Sequence, residues 1–319
     1  ATTAKNELDQ ARTNLTPDKA PLETAKSQLQ QSINQAQNTN TTGMTQASKD
    51  ALTAKLNAAK EKMTAINNVL NGSPTVADIN TNVTEATNSK NALDQAIQSL
   101  VVDKAPLQNA KSALEQSISQ AQQTSTAGMT QATVSTFNDK LAAARQKLQD
   151  IEQVLAGNPT VNDINSNTTA TNNVKDALNQ ARQNLTVDKA PLETAKASLQ
   201  QSINQAQQAS TTGMTQASIN ALNNKLSAAK AKIKAIDNVL KGQPTVNDIT
   251  NNTNETNTVK SELDQALQAL TPDKTPLQNA KTELEQSVNQ PTDTVGMTTA
   301  SLNAYNQKLE AARQTLNGV

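Results

Sequence analysis

The chain has 319 residues, with 28 Lys and Arg balanced by 28 Asp and Glu, no Cys, no His, no Trp, one Phe and one Tyr. Without Cys or His it offers no disulfide framework, no thiolate nucleophile, and neither the commonest general base nor the commonest metal ligand. A net charge of zero without basic clusters argues against nucleic acid, and no apolar run approaches the ~18–20 residues that span a bilayer, so neither nucleic-acid binding nor membrane insertion by this segment is expected.

The first stretch, Ala1 to Leu15, carries the pattern of Ala86 to Leu100 and is read as the tail of a helix that belongs to a preceding unit. The string Asp18-Lys19-Ala20-Pro21-Leu22 follows and returns at Asp103, Asp188 and Asp273, at intervals of 85 residues. A second string, Gly43-Met44-Thr45-Gln46-Ala47, returns at Gly128 and Gly213, and at Gly296 with Thr299 replacing Gln. Its last interval is 83, so the fourth copy is two loop residues shorter. Self-similarity at a fixed period is the signature of a repeat architecture.

Within the first copy, three helices are predicted. Leu22, Ala25, Leu29, Ile33 and Ala36 step by threes and fours and define the first, over about residues 18–37. Leu52, Leu56, Ala59, Met63, Ile66 and Leu70 form a heptad stripe over about 45–71. Val76, Ile79, Val83, Ala86, Ser89, Leu93, Ala96 and Leu100 define the third, over about 75–100. Nothing alternates with period two, so no strand is expected.

Punctuation agrees with the periods. Thr75 and Asp78 form a capping pattern repeated at Thr160/Asp163 and Thr245/Asp248. Met44 precedes the second helix as a candidate staple residue. Gly72, Gly157 and Gly242, each followed two residues later by Pro, stop the second helix. Pro21 and its copies occupy a first turn, where a missing N–H costs little. The third helix carries Thr168, Thr171, Thr253 and Thr256 where the first copy has Val83 and Ala86. Their hydroxyls need partners, and local softness is expected there.

The resulting fold class is all-α: tandem three-helix bundles, 85-residue repeats strung end to end into an elongated rod. Each module is about 40 Å long, from a helix of roughly 26 residues at ~1.5 Å per residue. Boundaries are placed in the joins that contain Asp-Lys. Residues 1–17 end a preceding module, 18–102, 103–187 and 188–272 are complete modules, and 273–319 are a first helix and most of a second. The third helix is expected to run nearly straight into the next first helix, so neighbouring modules of the same chain are partners. A boundary at 71–74 is the permuted alternative.

Phe137 and Tyr305 occupy the position of Leu52 and Leu222 and are read as core residues. The recurring Asp-Lys pair is read as a helix start with a solvated charge, against a partner contact at the module hinge. No carboxylate pair, Gly-rich phosphate loop or calcium-loop spacing is evident. The protein is therefore read as no enzyme, with no catalytic, metal or cofactor residues and no cofactor.

The unit running Asp-Lys-Ala-Pro-Leu, then Gly-Met-Thr, then Val-Leu-x-Gly-x-Pro-Thr, with Asn158 to Ile164 as its clearest stretch, resembles FIVAR modules over the whole chain. The resemblance implies three-helix modules strung into a fibre of a very large, cell-wall-associated staphylococcal surface protein. It also implies attachment to host extracellular matrix, fibronectin above all, by many weak contacts, with a role in biofilm formation. It carries no binding residues over to this sequence. Alternatives are a spacer that projects other domains, or an albumin- or immunoglobulin-binding helical module. No second module type fits inside the 85-residue period, which disfavours albumin.

Overall fold

Apolar residues three and four apart on one helix face have a single way to leave water, which is to meet the equivalent stripes of neighbouring helices. The computed structural model describes residues 1–318 and shows this outcome in α2 to α10. Helices α1 (Thr2–Thr13), α2 (Ala20–Asn38), α3 (Gln46–Asn71), α4 (Val76–Gln98), α5 (Ala105–Gln122), α6 (Gln131–Ala156) and α7 (Val161–Gln183) come first. Then follow α8 (Ala190–Gln208), α9 (Gln216–Lys241), α10 (Val246–Gln268), α11 (Thr275–Asn289) and α12 (Thr299–Gly318). The described residues contain no strand, and extended pairing is confined to isolated antiparallel bridges at Met44–Val102, Met129–Val187 and Met214–Pro272.

The chain divides into two compact units, one of Ala1–Thr126 with Gln131–Leu185, the other of Ala127–Thr130 with the chain from Thr186 onward. The first unit holds two three-helix bundles, α2–α3–α4 and α5–α6–α7. In α2–α3–α4 the core is Leu22, Leu29, Ile33, Leu52, Ala59, Ile66, Ile79, Ala86 and Leu93. In α5–α6–α7 it is Leu107, Leu114, Phe137, Ala144, Ile151, Ile164 and Leu178, with Val102 packed against its edge. The second unit holds α8–α9–α10, around Leu199, Ile203, Leu222, Ala229 and Leu263 at one end and Leu192, Ile236 and Ile249 at the other. It also holds the pair α11–α12. The fold is therefore all-α, built from repeated three-helix bundles.

In every bundle the first helix packs more extensively on the third than on the second. Small residues at the contact explain the closeness: Ala86, Thr171 and Thr256 are fully buried, and Ser32, Ser117 and Ser202 nearly so. The buried threonines donate to their own helix, Thr171 to the Asn167 carbonyl at 2.6 Å and Thr256 to the Asn252 carbonyl at 2.5 Å. Thr168 likewise donates to Ile164, but the buried hydroxyl of Thr253 has no partner.

Gly72 and Gly242 end their helices as expected, in extended backbone. The left-handed glycines are those of the Gly-Met turns, with φ +76° at Gly43, +73° at Gly128 and Gly213, and +79° at Gly296. Phe137 is buried as expected, but Tyr305 remains 36% exposed, because α11 and α12 pair without a third helix across them. Nor does α4 pass straight into α5: residues 99–104 leave the helix, because Val102 pairs in extended form with Met44 and Pro106 belongs to a new first turn. Helix α1 packs on no other described helix, and Leu8 and Leu15 stay exposed.

Candidate functional site

The features that recur in every module are the natural place to look for a site. The Asp-Lys pair is the most regular of them. Asp18 accepts the Ala20 N–H at 2.9 Å and so shapes the entry into α2, and Asp103, Asp188 and Asp273 do the same. Lys19 reaches across the bundle and donates to the carbonyls of Leu70 at 2.7 Å and Gly72 at 3.0 Å. Lys104 does so to Leu155 and Gly157, and Lys189 to Leu240 and Gly242. A helix C-terminus leaves carbonyls unpaired and carries partial negative charge, so an ammonium suits it. The lysine is thus the C-terminal cap of the second helix of its own module. It is not the merely solvated charge expected from sequence.

Other recurring lysines are also used internally. Lys62 pairs with Glu85 across α3 and α4, Lys147 donates to Asn167 at 2.7 Å, and Lys232 meets both Asn252 and Glu255. Lys111 bridges Glu115 and Glu152, and Lys196 meets Asp237 at 2.5 Å. The two glutamates hold the Lys111 ammonium above its ordinary pKa, Glu115 most strongly.

The threonine caps form complete boxes. Thr75 accepts the Asp78 N–H at 3.1 Å, while its own N–H and hydroxyl both donate to the Asp78 carboxylate. Thr160/Asp163 and Thr245/Asp248 repeat this geometry. The threonine hydroxyl, then its N–H, hold Asp78 and Asp163 below the usual carboxylate range, and at Asp248 the N–H acts more strongly.

A polar pair lies between first and third helices. Lys90 donates to Asp94 at 2.6 Å beside Ser32, and Lys260 to Asp264 at 2.5 Å beside Ser202. Burial pushes these carboxyls up, but the hydrogen bonds from lysine and serine and the lysine charge outweigh it, so both lie below the ordinary value. The second oxygen of Asp94 has no partner. In the middle module Asn179 takes the Asp position and Lys175 turns to Asp176 instead.

The Gly-Met turn is the remaining recurring feature. The Asp103 N–H donates to the Gly43 carbonyl at 2.8 Å and the Thr45 N–H to Val101 at 2.7 Å, so the turn is stitched to the linker that ends its module. The pattern repeats in the second unit with Asp188–Gly128 and Thr130–Thr186, and with Asp273–Gly213 and Thr215–Thr271.

Among the described residues, no group of three or more Asp or Glu could hold a metal, and no helix is long and apolar enough to cross a membrane. The lysine caps that sequence reading missed join residues about fifty positions apart. Their only trace in the sequence is that Lys19 and Gly72 recur together.

Repeated, capped three-helix modules define a tandem helical array. The FIVAR domain family matches residues 25–94, 110–179, 195–270 and 280–319, and the chain belongs to it. It is 55% identical over 301 residues to Extracellular matrix-binding protein EbhB of Staphylococcus aureus strain N315, covering 93% of this chain and 8% of that protein. It is equally similar to Extracellular matrix-binding protein ebh of strain JH9, of which it covers 3%. The chain therefore spans less than a tenth of these relatives. Among solved structures, a crystal structure of EbhA (756–1003 domain) from Staphylococcus aureus matches 91% of this chain and 98% of that one, at 18% identity and a TM-score of 0.22.

Proposed function

We propose that the chain is a non-enzymatic segment of a bacterial cell-surface adhesin. Its modules, 18–102, 103–187 and 188–272, each contact host extracellular matrix weakly, fibronectin above all, and promote attachment and biofilm formation. The observation that carries this reading is identity of 54–55% across 93% of the chain to proteins named for matrix binding. The family match begins at 25, 110, 195 and 280, in step with the proposed modules. A second reading, a spacer that projects other domains, draws support from the site itself: the recurring lysines and carboxylates hold their own module together.

Binding of the 319-residue chain to surfaces of graded fibronectin density tests the first reading. Immobilised albumin, soluble fibronectin and module 103–187 alone serve as comparisons. Adhesion predicts binding that rises steeply with module count and fibronectin density and spares albumin. No binding at any density leaves the spacer reading.

A further inference from the structure

We propose that the Gly-Met turn of one module is a socket for the valine that opens the third helix of the following module, and that in the first unit this clasp fixes the orientation of its two modules. The proposal does not rest on matrix binding.

In the first unit, Val161, the first residue of α7, lies against Gly43. A Cβ built on Gly43 would stand 2.4 Å from Val161 Cγ1, closer than real carbon atoms approach. In the second unit, Val246, the first residue of α10, lies against Gly128 in the same way, at 2.5 Å. Glycine is thus required at the turn twice over, by its left-handed φ and by the methyl groups above it.

The repeats supply their own controls. Gly213 and Gly296 have the same turn conformation and no third-helix valine against them, and nothing lies within 4 Å of the position a Cβ would take. Conversely, Val76 opens α4 as Val161 opens α7, but no turn covers it, and it is 60% exposed where Val161 and Val246 are half-buried. Local helix-start chemistry is the same in all three, since each valine follows a complete Thr–Asp capping box. Burial of the valine therefore follows the docked turn and not the local sequence.

Two contacts of different origin meet at the turn. One face is stitched to the linker by the Asp103 N–H and the Met44–Val102 bridge, and the other takes Val161. A joint held by its linker alone can swing about that linker. A second contact away from the linker removes the swing. Valine suits the role because branching at Cβ leaves it almost one rotamer in a helix, so little side-chain freedom is lost on docking.

The chain has no cysteine, so spin labels can be placed at Lys60→Cys on α3 and Gln146→Cys on α6, both exposed positions within the first unit. Distances are then measured between them in the full chain. The parent should give one narrow distribution. Val161→Ala, which removes the docked methyls and keeps a good helix residue, should widen it at least about twofold, towards the free motion that small interfaces permit. Val76→Ala makes the same change where no turn docks and should leave the width unaltered. Circular dichroism confirms that both variants keep their helices. A parent distribution that is already broad, a Val161→Ala width equal to the parent's, or an equal response to Val76→Ala overturns the proposal.

Discussion

Single side chains set helix ends in this protein, and two of them give measurable expectations. Lys104 closes the C-terminus of α6 by donating to Leu155 and Gly157. Lys104→Met keeps the aliphatic stem and removes the donor. It should cost the α5–α7 bundle on the order of 1 kcal/mol, as for one hydrogen bond made by a charged group at a partly solvated site. Hydrogen exchange should quicken in the last turn of α6 and stay unchanged in α3. Asp94 gives a pH expectation. Its folded-state pKa is depressed below the unfolded value of about 3.9, so it stabilises the fold above that pH. The contribution fades as pH falls through the folded value. Asp94→Asn, the residue the middle module already has at Asn179, should therefore lower the melting temperature near neutrality and make little difference in strong acid. A gap between the two melting curves that stays constant down to about pH 2 would remove Asp94 from the acid response.

Among the elements, α7 and α10 bury Thr171 and Thr256 where α4 buries Ala86, and α10 also holds an unpaired hydroxyl. The Thr253 hydroxyl is buried without a partner, at the position where α4 has Val83. Thr253→Val preserves shape and removes the unpaired group, so it should stabilise the α8–α10 bundle by about 1 kcal/mol. Thr168→Val should gain less, because that hydroxyl already donates to Ile164. Paired thermal melts decide the point, and an equal effect at both sites would contradict the assignment. The helices themselves were legible in the sequence to within about two residues. The stripe Leu52, Ala59, Met63 and Ile66 is buried as its spacing requires, and Thr75 and Asp78 form the box their spacing suggests. Periodicity reports which face of a helix is dry, and capping residues report where it starts. Neither reports what a lysine reaches across the bundle, so Lys19 was read as solvated. Neither reports that a loop glycine meets Val161 from another module. Tyr305 was misread for the same reason, since its register is a core register but only α11 lies against it.

For the whole molecule, the arithmetic of charge and copy number bears most directly on function. Lysines and arginines together balance the carboxylates, and the cross-helix ion pairs of the modules sit largely at the surface, where each contributes about 0–1 kcal/mol. A surface of this kind exerts little long-range pull on a charged partner. It also presents few aromatic anchors, with one Tyr and a buried Phe137, so a single module is not built for tight binding. If each module held its ligand with a Kd near ~1 mM, about −4 kcal/mol, tethering several on one chain could raise apparent affinity by roughly 10²–10⁴ without any new contact. Adhesion should then depend on copy number and ligand density, and only slightly on ionic strength. The expected result is that raising salt from about 0.05 to about 0.5 M, which shortens the Debye length several-fold, changes retention on dense fibronectin by less than about threefold. Removing modules should reduce retention far more. Retention that collapses in salt while ignoring module count would mean non-specific charge attraction, and the adhesin reading would give way to the spacer.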